Sequence, residues 1–145
     1  MTFLIGSLDV TDTDDGYYME IVEGDPITAI PEVTGVRVTI PGRVGLYTPD
    51  ANFEDRKLLI RIHAFVAGEG STHEAQVSSF ATAMAALKTA CGVADRADVT
   101  LTWNGWTIPA GFLRFEGPPV VGDMAREFDI HFEATDPPEW TLTGS

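Results

Sequence analysis

Between Ser71 and Gly92 the apolar residues recur every three or four positions, and this stretch is the one convincing helix in the chain. Val77, Phe80, Ala81, Met84, Leu87 and Cys91 form a single stripe on a helix predicted from about Thr72 to Cys91. Ser71 stands at the N-cap position, and Glu74 three residues later completes a capping box. Gly92 supplies the left-handed stop. The opposite side carries Ser78, Ser79, Thr82, Ala85, Ala86 and Thr89, all small and uncharged, where a helix facing water usually carries Glu and Lys. That back face is expected to touch something besides solvent.

The remaining chain alternates with a period of two and is punctuated by Gly, Pro, Asn and Asp, so it reads as strands. Phe3 to Val10 is a first strand broken at Gly6, and Tyr17 to Glu23 is a second, with Tyr17, Met19 and Ile21 on one face. Gly24 to Gly35, with Pro26 and Pro31, is an extended loop, and Val36 to Ile40 is a half-buried strand. Pro41 to Asp55 shows no periodicity and reads as a long connection, but Leu46, Tyr47 and Phe53 make it more apolar than a solvated loop requires. Arg56 to Val66 has a wholly apolar face of Leu58, Ile60, Ile62, Ala64 and Val66.

Asn104-Gly105 is the preferred two-residue hairpin turn, which pairs Trp103 with Trp106, Leu101 with Ile108 and Val99 with Ala110. Phe112 to Glu116 reads as a separate short strand. Arg126 to Ala134 closes the series with Phe128, Ile130 and Phe132 inward and Glu127, Asp129, His131 and Glu133 outward, before Trp140. About seven or eight strands with one helix packed against them define a mainly β (α+β) chain, either a β-sandwich or a partly closed barrel. The 145 residues are expected to form a single domain.

Charge narrows the function classes. Twenty-two acidic residues against nine basic ones give a net charge of −13. Asp9, Asp12, Asp14, Asp15, Glu20, Glu23, Asp25 and Glu32 all precede the first basic residue, Arg37. Direct wrapping of nucleic acid is disfavoured, because it needs Lys and Arg to displace counterions. No run is long enough to span a bilayer and no leader pattern opens the chain, so the expectation is a protein folded in a cytosol, without a membrane partner. The lone Cys91 sits on the helix stripe as a core thiol.

The sequence carries little that suggests catalytic or metal chemistry. There is no phosphate-binding loop, no dinucleotide fingerprint and no nucleophile elbow. Gly68 and Gly70 precede the helix, yet Glu69 and Glu74 would repel an anion there. His63, His73 and His131 share no metal-ligand spacing, and His131 between Asp129 and Glu133 reads as a surface histidine held by those neighbours. The stretch Thr11 to Gly16 (TDTDDG) lacks the spacing of an EF-hand and reads as an acidic turn. No catalytic residue, cofactor or metal is assigned. Trp103 and Trp106 stabilise the hairpin and pack on the core; exposed, they would offer a sugar-stacking surface, the mark of an alternative small-ligand or carbohydrate-binding module.

Two stretches carry a resemblance. Gly35 to Gly45 (GVRVTIPGRVG) resembles the segment of siphophage distal-tail proteins in which a strand leads into a Gly-Arg turn, and Arg126 to Trp140 (REFDIHFEATDPPEW) is similar to the final strand and aromatic end of that domain. The order between them, long strand, amphipathic helix, hairpin and further strands, follows the same family and the related tail-tube proteins. The resemblance implies a structural subunit of the virion tail, assembled in the host cytoplasm as a probable hexameric ring with other tail proteins. DNA would pass through that ring without specific binding. Many longer members carry a C-terminal carbohydrate-binding domain; a chain ending at Ser145 is expected to lack it. Two sets of residues follow as candidates: Ser78, Ser79, Thr82, Ala86, Thr89, Leu46, Tyr47 and Phe53 for subunit contacts, and Glu127, Asp129 and Glu133 for a channel lining that repels phosphate.

Overall fold

A computed structural model describes residues 2–11, 15–28, 32–33, 38–39, 46–47, 56–117, 124–135 and 138–142. In chain order the strands are β1 (Phe3–Ile5), β2 (Leu8–Asp9), β3 (Tyr17–Glu23), β4 (Glu32–Val33), β5 (Val38–Thr39), β6 (Leu46–Tyr47) and β7 (Arg56–Ala67). After helix α1 (His73–Cys91) come β8 (Val99–Trp103), β9 (Trp106–Glu116), β10 (Ala125–Ala134) and β11 (Thr141–Leu142). Seven strands pair in the order β2-β1-β8-β9-β10-β7-β3, with β11 added to β9 and β4 to β7; β5 and β6 pair separately. The sheet does not close, which decides against the barrel. No helix among the described residues is long and apolar enough to cross a membrane.

The hairpin forms in the expected register. Val99 faces Ala110, Leu101 faces Ile108 and Trp103 faces Trp106. Asn104 and Gly105 take φ values of 47° and 88°, as a type I′ turn requires. The strand after the turn does not stop at Ala110, as expected, but runs unbroken to Glu116. Its first five residues pair with β8, and Gly111 to Glu116 pair with β10. Between Phe112 and Arg114 the register slips against Phe132 and His131, leaving Leu113 as the extra, exposed residue of a bulge. A bulge bends and twists its strand, and β9 thereby serves two ladders whose apolar faces meet in one core.

That core gathers Phe3, Ile5, Leu101, Ile108 and Ala110 from one half, and the inward residues of β3, β7 and β10 from the other. Across the central ladder large residues oppose small or branched ones: Phe128 faces Ala64, Ile130 faces Ile62, and Phe132 faces Ile60. The predicted apolar face of β7 is buried throughout. Trp140 ties the end of the described chain to the rest, its ring N–H donating to the Gly24 carbonyl at 2.8 Å.

Helix α1 departs from the sequence expectation in two details. Thr72, not Ser71, is the N-cap: its backbone is extended and its hydroxyl accepts the Ala75 N–H at 3.1 Å. The capping box from Ser71 to Glu74 therefore does not form. Thr72→Ala should cost about 1 kcal/mol and Ser71→Ala almost nothing in urea denaturation. The helix is also rolled. Met84, Leu87 and Cys91 are buried as expected, but Ala81 is exposed while Ala83 is buried and Ala90 packs on the core. The Tyr17 hydroxyl pulls on that flank, donating to the Ala83 carbonyl at 2.8 Å, and the β1–β2 turn lies against it at Ala90. Gly92 ends the helix at φ 74°, its N–H turned back to the last carbonyls. Burial pushes the Cys91 thiol up to about 12, so it is an inert core group.

The expected first strand is two. Gly6, at φ 62°, turns the chain so that Leu8 and Asp9 pair back on Ile5 and Leu4. The supposed loops also contain strand: Glu32–Val33 pairs with Arg56 and Lys57, and Leu46–Tyr47 pairs with Val38–Thr39. Phe53, Asp12 to Asp14 and the remainder of 34–55 lie outside the described residues.

Candidate interaction surfaces

Alternation along β10, β7 and β3 drives one set of side chains into the core and leaves the other on an outer face. That face holds Glu127, Asp129, His131 and Glu133 from β10, Leu59, Arg61, His63 and Phe65 from β7, and Tyr18, Glu20 and Val22 from β3. Register places His63 between Asp129 on one side and Glu20 on the other.

The three predicted channel-lining residues sit together here, but two of them are not bare charges. His63 Nδ1 lies 3.0 Å from Asp129 Oδ1, and its Nε2 lies 3.0 Å from Glu127 Oε1. Arg61 stands 3.9 Å from the second oxygen of Asp129 and 3.6 Å from Glu23. His131 Nε2 lies 2.9 Å from Glu116 of β9, across the sheet, and not beside its strand neighbours Asp129 and Glu133. Residues two apart on one strand are separated by nearly two full rises, whereas cross-strand partners are adjacent. Arg114 adds a second cation beside Glu116 at 3.4 Å. The His63 pKa is raised above its ordinary 6.5, chiefly by the bond to Asp129 and further by the charges of Asp129 and Glu127.

One end of the same face is apolar. Tyr18 and Phe65 pair there at 5.9 Å with tilted rings, while Leu59 and Val22 are exposed toward the other end of the face. A groove of about 460 Å³ runs along β3, lined by Tyr18, Glu20, His63, Phe65 and Thr11 among others. In the sequence His63 is one residue of a strand with no partner within reach. The alternation of β7 shows that it points outward, but only the pairing with β10 shows what it meets.

The second surface is the back of α1. Ser78, Thr82, Ala85, Ala86 and Thr89 are exposed; Ser79 is half-buried and its hydroxyl accepts the Glu69 N–H at 3.1 Å, fastening the β7–α1 connection. The Thr89 hydroxyl is returned to the Ala85 carbonyl at 3.1 Å. With Gly6, Ser7 and Leu8 the helix back forms a shallow groove of about 750 Å³. Leu46 and Tyr47 lie in the separate β5–β6 pair, away from that helix in sequence order and ladder. Trp103 and Trp106 are half-buried and packed against the core. Among the described residues no group of three or more His, Cys, Asp or Glu is placed to hold a metal.

No family model matches the sequence, and no curated protein does. Among solved structures the chain is similar to the crystal structure of the SPP1 Dit (gp 19.1) protein, described as a paradigm of hub adsorption apparatus in Gram-positive infecting phages, with a TM-score of 0.62 at 16% identity. The likeness covers 94% of this chain and 50% of that one, so the chain spans half the length of the phage protein. It is a likeness of fold.

Proposed function

We propose that this chain is a structural subunit of a bacteriophage tail, assembling with copies of itself as a ring, most simply a hexamer, around the DNA channel at the distal tail or in the tail tube. The observation that supports this reading is the fold likeness across 94% of the chain. Charge is consistent with it. A protein of net charge −13 does not hold a polyanion, and a channel wall must let one slide. Glu127, Asp129 and Glu133 are the lining candidates, with other tail proteins as neighbours in the virion.

In a ring of identical copies, one surface of each subunit meets a different surface of the next. The small, uncharged back of α1 is the material for such a contact. Negative-stain imaging and light scattering of the purified chain should show closed rings. A monomer at every concentration, alone and with neighbouring tail proteins added, would refute the reading. Ala86→Glu changes an exposed residue, so stability should stay within about 0.5 kcal/mol, while ring formation should fall sharply. Normal rings from this variant would remove the helix back from the interface.

A further inference from the structure

A carboxylate only accepts hydrogen bonds, and a neutral imidazole donates from one nitrogen and accepts at the other. Both nitrogens of His63 lie 3.0 Å from carboxylate oxygens, Nδ1 from Asp129 and Nε2 from Glu127. That arrangement is satisfied only when both nitrogens carry a proton. The bound form is the imidazolium.

We propose that His63, Asp129 and Glu127 form a proton-operated clasp across β7 and β10 that sets the charge of the outer sheet face. With the ring protonated the clasp is closed, and one cation lies between two carboxylates. When the ring gives its proton to solvent, one nitrogen turns a lone pair toward a carboxylate and that side opens. The face loses one positive charge where its acids are densest. Among the described residues nothing around the ring makes good the loss. From β3, Glu20 is its cross-strand neighbour, and Tyr18 lines the same groove. From its own strand Arg61 reaches Asp129 at 3.9 Å but is shared with Glu23 at 3.6 Å. From β10 come Glu127 and Asp129 themselves, and beyond them Glu116 of β9 is already taken by His131 and Arg114.

The sign is fixed by the direction of the shift. A histidine whose folded pKa is raised above 6.5 adds stability that is complete below 6.5 and is lost as pH rises through the folded value. The clasp is therefore closed on the acid side and open on the alkaline side. The proposal concerns the folded chain and does not depend on the tail reading, since it is read on the protein in any state of assembly.

The test is a ring-proton NMR titration of the intact chain, with the His63 signal assigned by its disappearance in His63→Gln. The wild-type midpoint should lie above 6.5, and both Asp129→Asn and Glu127→Gln should lower it, Asp129→Asn by more. A wild-type midpoint at or below 6.5, or one unmoved in either variant, overturns the two-sided clasp. Thermal midpoints supply a second reading. Wild type should exceed His63→Gln by a few degrees in mild acid, and the difference should shrink as pH rises through the wild-type midpoint. A pH-independent difference would show ordinary packing instead of a clasp.

Discussion

Phe132→Ala should remove about 3–5 kcal/mol of folding free energy, which is at least about a fifth of what a domain of this size usually has, roughly 5–15 kcal/mol. Phe132 is fully buried near the C-terminal end of β10, facing Ile60 on one side and Phe112 on the other. Its ring meets that of Phe112 edge-on at 6.1 Å. Truncation removes the apolar contact and leaves a cavity where β7, β9 and β10 are hydrogen-bonded into a ladder and cannot collapse inward. Urea denaturation should show a lower midpoint with an unchanged slope. Phe65→Ala is the control. Phe65 stands 36% exposed on the outer face against Tyr18, and its loss should cost about 1 kcal/mol or less. Equal losses from the two variants would contradict the assignment of inner and outer faces.

Gly68→Ala should destabilise by about 3 kcal/mol, at the upper end of what forced overpacking costs. A Cβ at Gly68 would lie 1.8 Å from the carbonyl oxygen of Gln76 and 2.7 Å from its carbonyl carbon. Both are helix backbone, so no rotamer change relieves the clash. The chain is also held in place, because the Gly68 N–H donates to the Met124 carbonyl at 2.7 Å and the Glu69 N–H to Ser79. Helix α1 must shift or the β7–α1 junction must open. Faster amide exchange over 68–76 with a lowered thermal midpoint is the expected result; a wild-type midpoint would refute the close approach. Replacing glycine where space exists usually adds about 0.4–1 kcal/mol, so the two cases differ in sign.

This glycine shows how a correct observation in sequence lacks its reason. Gly68 and Gly70 before a helix raise the question of an anion site, and the acidic neighbours Glu69 and Glu74 argue against it. What the glycine provides is room for a carbonyl. Nothing local to residues 66–70 indicates that Gln76 folds back over them. Likewise, the choice between Ser71 and Thr72 as N-cap is one of adjacent, chemically similar residues, and the entry path of the chain from β7 decides it.

Much of the fold is legible because its determinants are periodic or short-range. The apolar face of β7, the inward residues of β10, the register from Val99 to Ala110 and the stop at Gly92 follow from a period of two, a two-residue turn and a left-handed glycine. Leu46–Tyr47 and Glu32–Val33 are not legible in this way. Two residues are too few to show a period, and they become strands only through partners elsewhere in the chain. The unbroken run of β9 is hidden for a related reason: Phe112 to Glu116 reads as a separate strand, whereas it continues a strand that bends from one ladder to the next.

The sequence by itself determined that the chain is a β protein with a single helix, which side chains turn inward, and that its surface is acidic. Each of these depends on spacing within a few residues or on composition. The tertiary structure alone decided how the acids are arranged. His63 and Asp129 are 66 residues apart, and their meeting depends on the β7–β10 register, set by the buried faces of both strands. Interior packing thus places the outer charges, because in a strand the inward and outward side chains cannot move independently.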